Sequence, residues 1–126
     1  MSLQHPEDIL RHAVSTFGEA TKGLAEIKIG SFTSSNKEFV VYAYLKSKYV
    51  NEYKIDCITI RFPLSIYPLK VKIDNKKIAA LFVKDEIVCS SKVALCEAIE
   101  MYFLSKEFTQ EVQTLVNIAA MNKSRS

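Results

Sequence analysis

Between Pro6 and Phe17 apolar side chains recur at helical spacing: Ile9, Ala13 and Phe17 form an i, i+4 stripe joined by Leu10 and Val14. Pro6 suits the first helical position, and Glu7 and Asp8 put negative charge in the first turn, where the helix dipole favours it. Lys22-Gly23 then supplies a cation and a residue free to turn left-handed. The pattern predicts one helix from about Pro6 to about Lys22.

From Leu24 the period changes to two. Ala25, Ile27 and Ile29 alternate with Glu26 and Lys28 as a half-buried strand, and Gly30 to Lys37 reads as its end plus a turn. Phe39, Val41, Ala43 and Leu45 alternate with Val40, Tyr42, Tyr44 and Lys46 in a longer second strand. A third strand is expected over Lys54 to Phe62. There Ile55 and Cys57 share one parity while Ile58, Ile60 and Phe62 share the other, so either a bulge lies near Cys57 or both faces are covered.

Pro63 and Pro68 interrupt pairing, because proline gives no ladder donor. Leu69, Val71 and Ile73 against Lys70, Lys72 and Asp74 predict a fourth strand, Asn75-Lys76-Lys77 a turn, and Ile78 to Val83 the start of a fifth. No helix between these strands is long enough for a parallel crossover, so the strands should form an antiparallel meander. Ser91 offers an N-cap for a helix over Lys92 to Leu104, with Val93, Cys96, Ile99 and Phe103 as its apolar stripe. Ser105 can cap a last helix, striped by Phe108, Val112, Leu115 and Ala119, before a polar tail at about 121–126. The expected fold class is α+β: an N-terminal helix, a meander of four to five strands and two C-terminal helices on one sheet face, in a single domain.

Composition narrows the function classes. The chain has 126 residues, 48% hydrophobic and 25% charged, which suits one compact core and not a disordered chain. Its net charge of +3 is spread evenly, since residues 1–63 hold eight basic and seven acidic side chains and residues 64–126 hold nine and seven. No half is a polyanion-seeking tail. The longest apolar run, Phe39 to Leu45, is seven residues where a membrane helix needs about twenty, so no membrane is expected. The N-terminus lacks a basic and apolar leader, and three unpaired cysteines fit a reducing compartment, so a cytoplasmic protein is expected.

Chemistry-bearing patterns are sparse. His5 and His12 are the two histidines, on the order of 10 Å apart if both are helical, and no metal or other cofactor is expected. Three glycines, at 18, 23 and 30, leave little backbone for a phosphate cradle. Of Cys57, Cys89 and Cys96, only Cys89 has an argument for reactivity, because it precedes a helix N-terminus that would favour its thiolate. Tyr42, Tyr44 and Lys46 should face outward on the second strand and Lys70 and Lys72 on the fourth, with Tyr49 and Tyr53 in or beside the intervening turn. Aromatic faces flanked by cations suit single-stranded nucleic acid, but tyrosine and lysine are equally ordinary on an outer strand face.

Phe62-Pro63-Leu64-Ser65-Ile66-Tyr67-Pro68 resembles the F-P-x-x-Y-P segment of ubiquitin-conjugating-like and RWD domains, with one extra residue between the dipeptides. No His-Pro-Asn and catalytic cysteine follow, so the resemblance implies a non-catalytic interaction domain over roughly residues 6 to 74. Tyr67-Pro68-Leu69, with helices opened at Ser91 and Ser105, also resembles small uncharacterised bacterial proteins of this length, which implies the same α+β architecture. The leading expectation is a non-enzymatic protein-interaction or accessory module, acting on a protein partner or on itself. Tyr67, on its proline-bracketed loop, joins the tyrosines expected at the interface. Alternatives are single-stranded nucleic-acid binding through the Tyr/Lys face, and a cysteine-dependent enzyme at Cys89.

Overall fold

The computed structural model describes residues 5–80 and 86–125. Its elements run α1 (Pro6–Ala13), α2 (Phe17–Ala20), β1 (Glu26–Thr33), β2 (Phe39–Lys46), β3 (Lys54–Phe62), β4 (Leu69–Ile73), α3 (Lys76–Ala79), β5 (Glu86–Cys89), α4 (Lys92–Phe103) and α5 (Lys106–Arg125). The five strands pair in sequence order, every neighbour antiparallel, as a chain without crossover helices requires. The fold is α+β, as the patterning predicts.

Alternation sorts each strand into two faces. Inward, Val41, Ile60 and Val71 form one cross-strand row and Ala43, Ile58 and Ile73 another, all buried. Onto them pack Ile9 and Leu10 from α1, Ile78 from α3, Leu95, Ala98, Ile99 and Tyr102 from α4, and Phe108 and Leu115 from α5. Each fully buried Ile, Leu or Val of this layer contributes about 1.5–3 kcal/mol relative to exposure. Of the two alternatives for β3, the bulge near Cys57 is the one present: Ala43 pairs with Ile58 but Tyr44 with Asp56, so Cys57 is the extra residue and the strand changes parity across it.

The structure corrects the expected first helix and the expected fifth strand. The first helix breaks after Ala13, because Ser15 donates to the His12 carbonyl at 2.9 Å and poor helix formers follow; α2 resumes at Phe17. The stop at Lys22-Gly23 stands, both residues having positive φ and Gly23 N–H donating to Gly18 O at 2.8 Å. Gly30 to Lys37 is the end of a strand plus a turn, as expected: β1 runs to Thr33 and the turn follows it. Asn75 opens α3, its side chain accepting from Lys77 N–H and Ile78 N–H, so Ile78 is buried as a helix residue and does not begin a strand. Of the expected strand Ile78 to Val83, residues 81–83 lie outside the described residues; the fifth strand is Glu86–Cys89.

In α4 the buried stripe is Leu95, Ala98, Ile99 and Tyr102; Val93, expected inside, is 66% exposed. Twelve residues with apolar side chains on every side offer more than one stripe, and the sheet selects among them. In α5, Phe108, Leu115 and Ala119 are buried as expected, and Ser105 and Ser91 cap their helices by accepting from Phe108 N–H and Ala94 N–H.

Candidate interaction surface

All described helices contribute to the inner layer, so the other face of the sheet meets solvent. Pairing arranges that outer face in rows. Phe32, Val40, Arg61, Lys70 and Val88 form one, and Gly30, Tyr42, Thr59, Lys72 and Glu86 the next. At the ends of the first row Phe32 is 52% and Val88 60% exposed, while Val40 between them is buried. Lys70 and Lys72 are exposed, and among the described residues neither they nor Arg61 lies within ion-pair distance of a carboxylate.

Gly30 decides how Tyr42 lies. A Cβ at position 30 would fall 2.3 Å from the Tyr42 hydroxyl oxygen and 2.4 Å from the ring carbon that bears it, so the ring lies across the glycine backbone of β1. Gly30 therefore matters by leaving room, without a positive φ. Tyr44, two residues on, stacks on Tyr42 with centroids 6.2 Å apart and planes 16° apart, and Phe32 packs beside Tyr42 at 6.1 Å. Thr59, opposite Tyr42 on β3, donates to the Asp74 carboxylate.

At one end of the sheet β2 and β3 part into a cleft of about 440 Å³ lined by Tyr44, Lys46, Ser47, Lys48, Val50, Asn51, Glu52, Tyr53 and Lys54. The Lys54 ammonium lies 4.4 Å from the centre of the Tyr44 ring, and the Lys48 ammonium 5.2 Å from that of Tyr49. Lys123 reaches the Tyr49 ring at 5.6 Å, and Asn122 donates to the Tyr49 carbonyl at 2.8 Å, tying the end of α5 to this turn.

The eight residues singled out in the sequence thus separate. Tyr42, Tyr44, Lys46, Lys70 and Lys72 share the outer face, and Tyr49 and Tyr53 stand at the hairpin end. Tyr53 turns partly inward, where burial, aided by the Glu111 charge, raises its pKa. Tyr67 does not join the outer face: it packs against the inner core, and burial, then the Cys96 and Cys89 thiols, raise its pKa. The Tyr67–Pro68 peptide is cis, and the large apolar side chain that the proline-bracketed loop presents to solvent is Leu64, 86% exposed.

Cys89 ends β5 two residues before the α4 N-terminus, fully buried. Burial pushes its thiol up, opposite to the shift expected from the helix end. The Cys57 thiol is pushed up to about 12, chiefly by burial. His5 is the N-cap of α1, its Nδ1 accepting from Glu7 N–H at 3.1 Å while its ring meets Phe62 edge-on. Among the described residues no cluster of three or more His, Cys, Asp or Glu side chains could hold a metal ion. No described helix is long and apolar enough to cross a membrane.

Two features escaped the sequence patterning. A cavity of about 560 Å³ between α1 and α4 brings His12 and Cys96 to one space, together with Asp8, Lys92 and Glu100. On the solvent side of α4, Val93, Met101 and Leu104 are all exposed. The first needed the packing of two helices far apart in sequence; the second was already signalled by the apolar surplus of α4.

Comparison of the chain with protein-family models, with curated proteins and with solved structures finds no significant match in any of the three.

Proposed function

We propose that the protein is a non-catalytic interaction module of the cytoplasm that binds a protein partner, or a second copy of itself, through the outer face of its sheet. One observation carries this reading: five strands are covered by helices on one side, and the other side carries exposed Phe32 and Val88 in the row that includes Val40. Exposed apolar side chains with a polar surround suit an interface, and half-exposed tyrosines add large contact area at low rotamer cost. The raised thiols of Cys57 and Cys89 argue against a cysteine nucleophile, since the thiolate is the reactive form. The free cysteines fit a reducing compartment.

Light scattering on the purified chain separates self-association from a hetero-partner, and retention of proteins from the native cell finds the latter. With Phe32→Glu and Val88→Glu together, either association should be lost while the thermal midpoint moves by no more than a few degrees. A strictly monomeric protein that retains no partner, or an association indifferent to both substitutions, would refute the reading.

A second reading, single-stranded nucleic-acid binding, is favoured by the near-parallel Tyr42 and Tyr44 rings with Lys46, Lys70 and Lys72 on the same face. It predicts oligonucleotide binding that weakens with salt and with Tyr42→Ala. Fluorescence anisotropy unchanged at low salt would remove it.

A further inference from the structure

We propose that the cleft at the turn end of the β2–β3 hairpin receives an acidic segment of a partner protein, its carboxylates held among Lys46, Lys48 and Lys54. This rests on the reading of the chain as an interaction module and names the chemistry that its partner would carry.

Register makes the site. Lys46 is the last residue of β2 and Lys54 the first of β3, so pairing sets two cations directly opposite each other. Like charges in that relation are unfavourable, and a hairpin free of other demands would place a carboxylate on one side. Lys48 adds a third ammonium to the lining of the same cleft.

The surrounding acids do not balance the three. Glu26 faces Lys46 from β1, but its carboxylate lies 3.5 Å from Lys28. Asp56 is 3.7 Å from Lys54, with both side chains more than half exposed, so that pair is weak and easily exchanged. Of the cleft's lining residues Glu52 alone is acidic.

Carboxylates are favoured over a nucleic-acid strand by what the rings are doing. The ammonium of Lys54 covers Tyr44 and that of Lys48 covers Tyr49, so these rings hold cations in place and do not offer bare faces for bases. Cations held on rings are preorganised for an anion. The cleft also adjoins the outer face, since Tyr44 and Lys46 belong to both, so one partner can cover the sheet and set an acidic stretch at its end.

The probe is a fluorescein-labelled peptide of eight glutamates, titrated at low salt and read by anisotropy, with an octathymidylate as the competing class. Lys46→Gln, Lys48→Gln and Lys54→Gln together should weaken peptide binding about tenfold or more. Lys22→Gln, Lys76→Gln and Lys106→Gln remove the same charge elsewhere and should weaken it less than about twofold. Wild-type protein should bind the peptide more tightly than the oligonucleotide. Lys48→Gln alone, in the exposed turn, supplies the same comparison if the triple variant fails to fold, with an expected loss of about threefold. No peptide binding, equal loss in both triple variants, or tighter oligonucleotide binding through the same lysines would each overturn the proposal. Failure here is distinct from failure of the interaction reading, which the Phe32 and Val88 variant decides with all three lysines in place.

Discussion

Tyr102 is the largest of the fully buried side chains among the described residues. Its ring meets Phe103 and Phe108 at 4.9 and 5.2 Å, while its hydroxyl, near the Cys57 thiol and Asn75, makes no hydrogen bond of normal geometry. A buried hydroxyl with no partner has lost water and gained nothing in return, a deficit of about 1–3 kcal/mol. Tyr102→Phe keeps the ring and removes the deficit. Urea unfolding should show the variant unchanged or more stable by up to about 1 kcal/mol, whereas Tyr102→Ala should cost about 3–5 kcal/mol through the cavity it leaves. A loss above about 1 kcal/mol for Tyr102→Phe would mean that the hydroxyl is satisfied in solution.

At the scale of elements, caps and parity were legible and the choice among competing stripes was not. Ser91 could be read as a cap because its side chain has a nearby backbone donor only at a helix start, and it accepts from Ala94 N–H at 3.2 Å. Ser91→Ala should therefore cost about 1 kcal/mol, measured by thermal or urea unfolding. Val93→Ala, two residues on, should change stability by less than about 0.5 kcal/mol, because the side chain faces solvent. The parity switch at Cys57 was visible as a break in alternation, but only pairing could choose a bulge over a doubly covered strand. Ile78 misled because a short apolar run reads equally as strand or helix, and Asn75 tipped it to helix by capping. Alternation likewise placed Tyr42 and Tyr44 outward. The opposition of Lys46 and Lys54 depended on register across a seven-residue connection, which no local pattern carries. That Tyr67 packs against the inner layer was not legible, because prolines mark a loop without saying which way it folds.

At the scale of the whole molecule, the inner layer determines how stability responds to alkali. Cys57, Cys89, Tyr53, Tyr67 and Tyr102 all have pKa values raised first by burial, so the folded chain keeps protons that the unfolded chain releases. The sign follows from linkage: stability is at its full value below pH 9.0, the ordinary thiol value, and falls as pH rises towards about 12, the value for folded Cys57. Within that window the buried Cys57 alone contributes a slope of about 1.4 kcal/mol per pH unit. Urea unfolding at pH 8, 9, 10 and 11 should show the decline, and Cys57→Ala should flatten it. A stability independent of pH over this range would contradict the burial of these groups.

Sequential strand order also sets a timetable for synthesis. The five strands can pair hairpin by hairpin as they emerge, because each neighbour in space is the next in the chain. Most of their inner face has no such local partner: Leu95, Ile99, Tyr102, Phe108 and Leu115, which cover much of it, all come after the last strand. For most of translation a nascent sheet would therefore display the apolar rows of Val41, Ile60 and Val71 to the surrounding cell, the kind of exposure that chaperones bind and that drives aggregation.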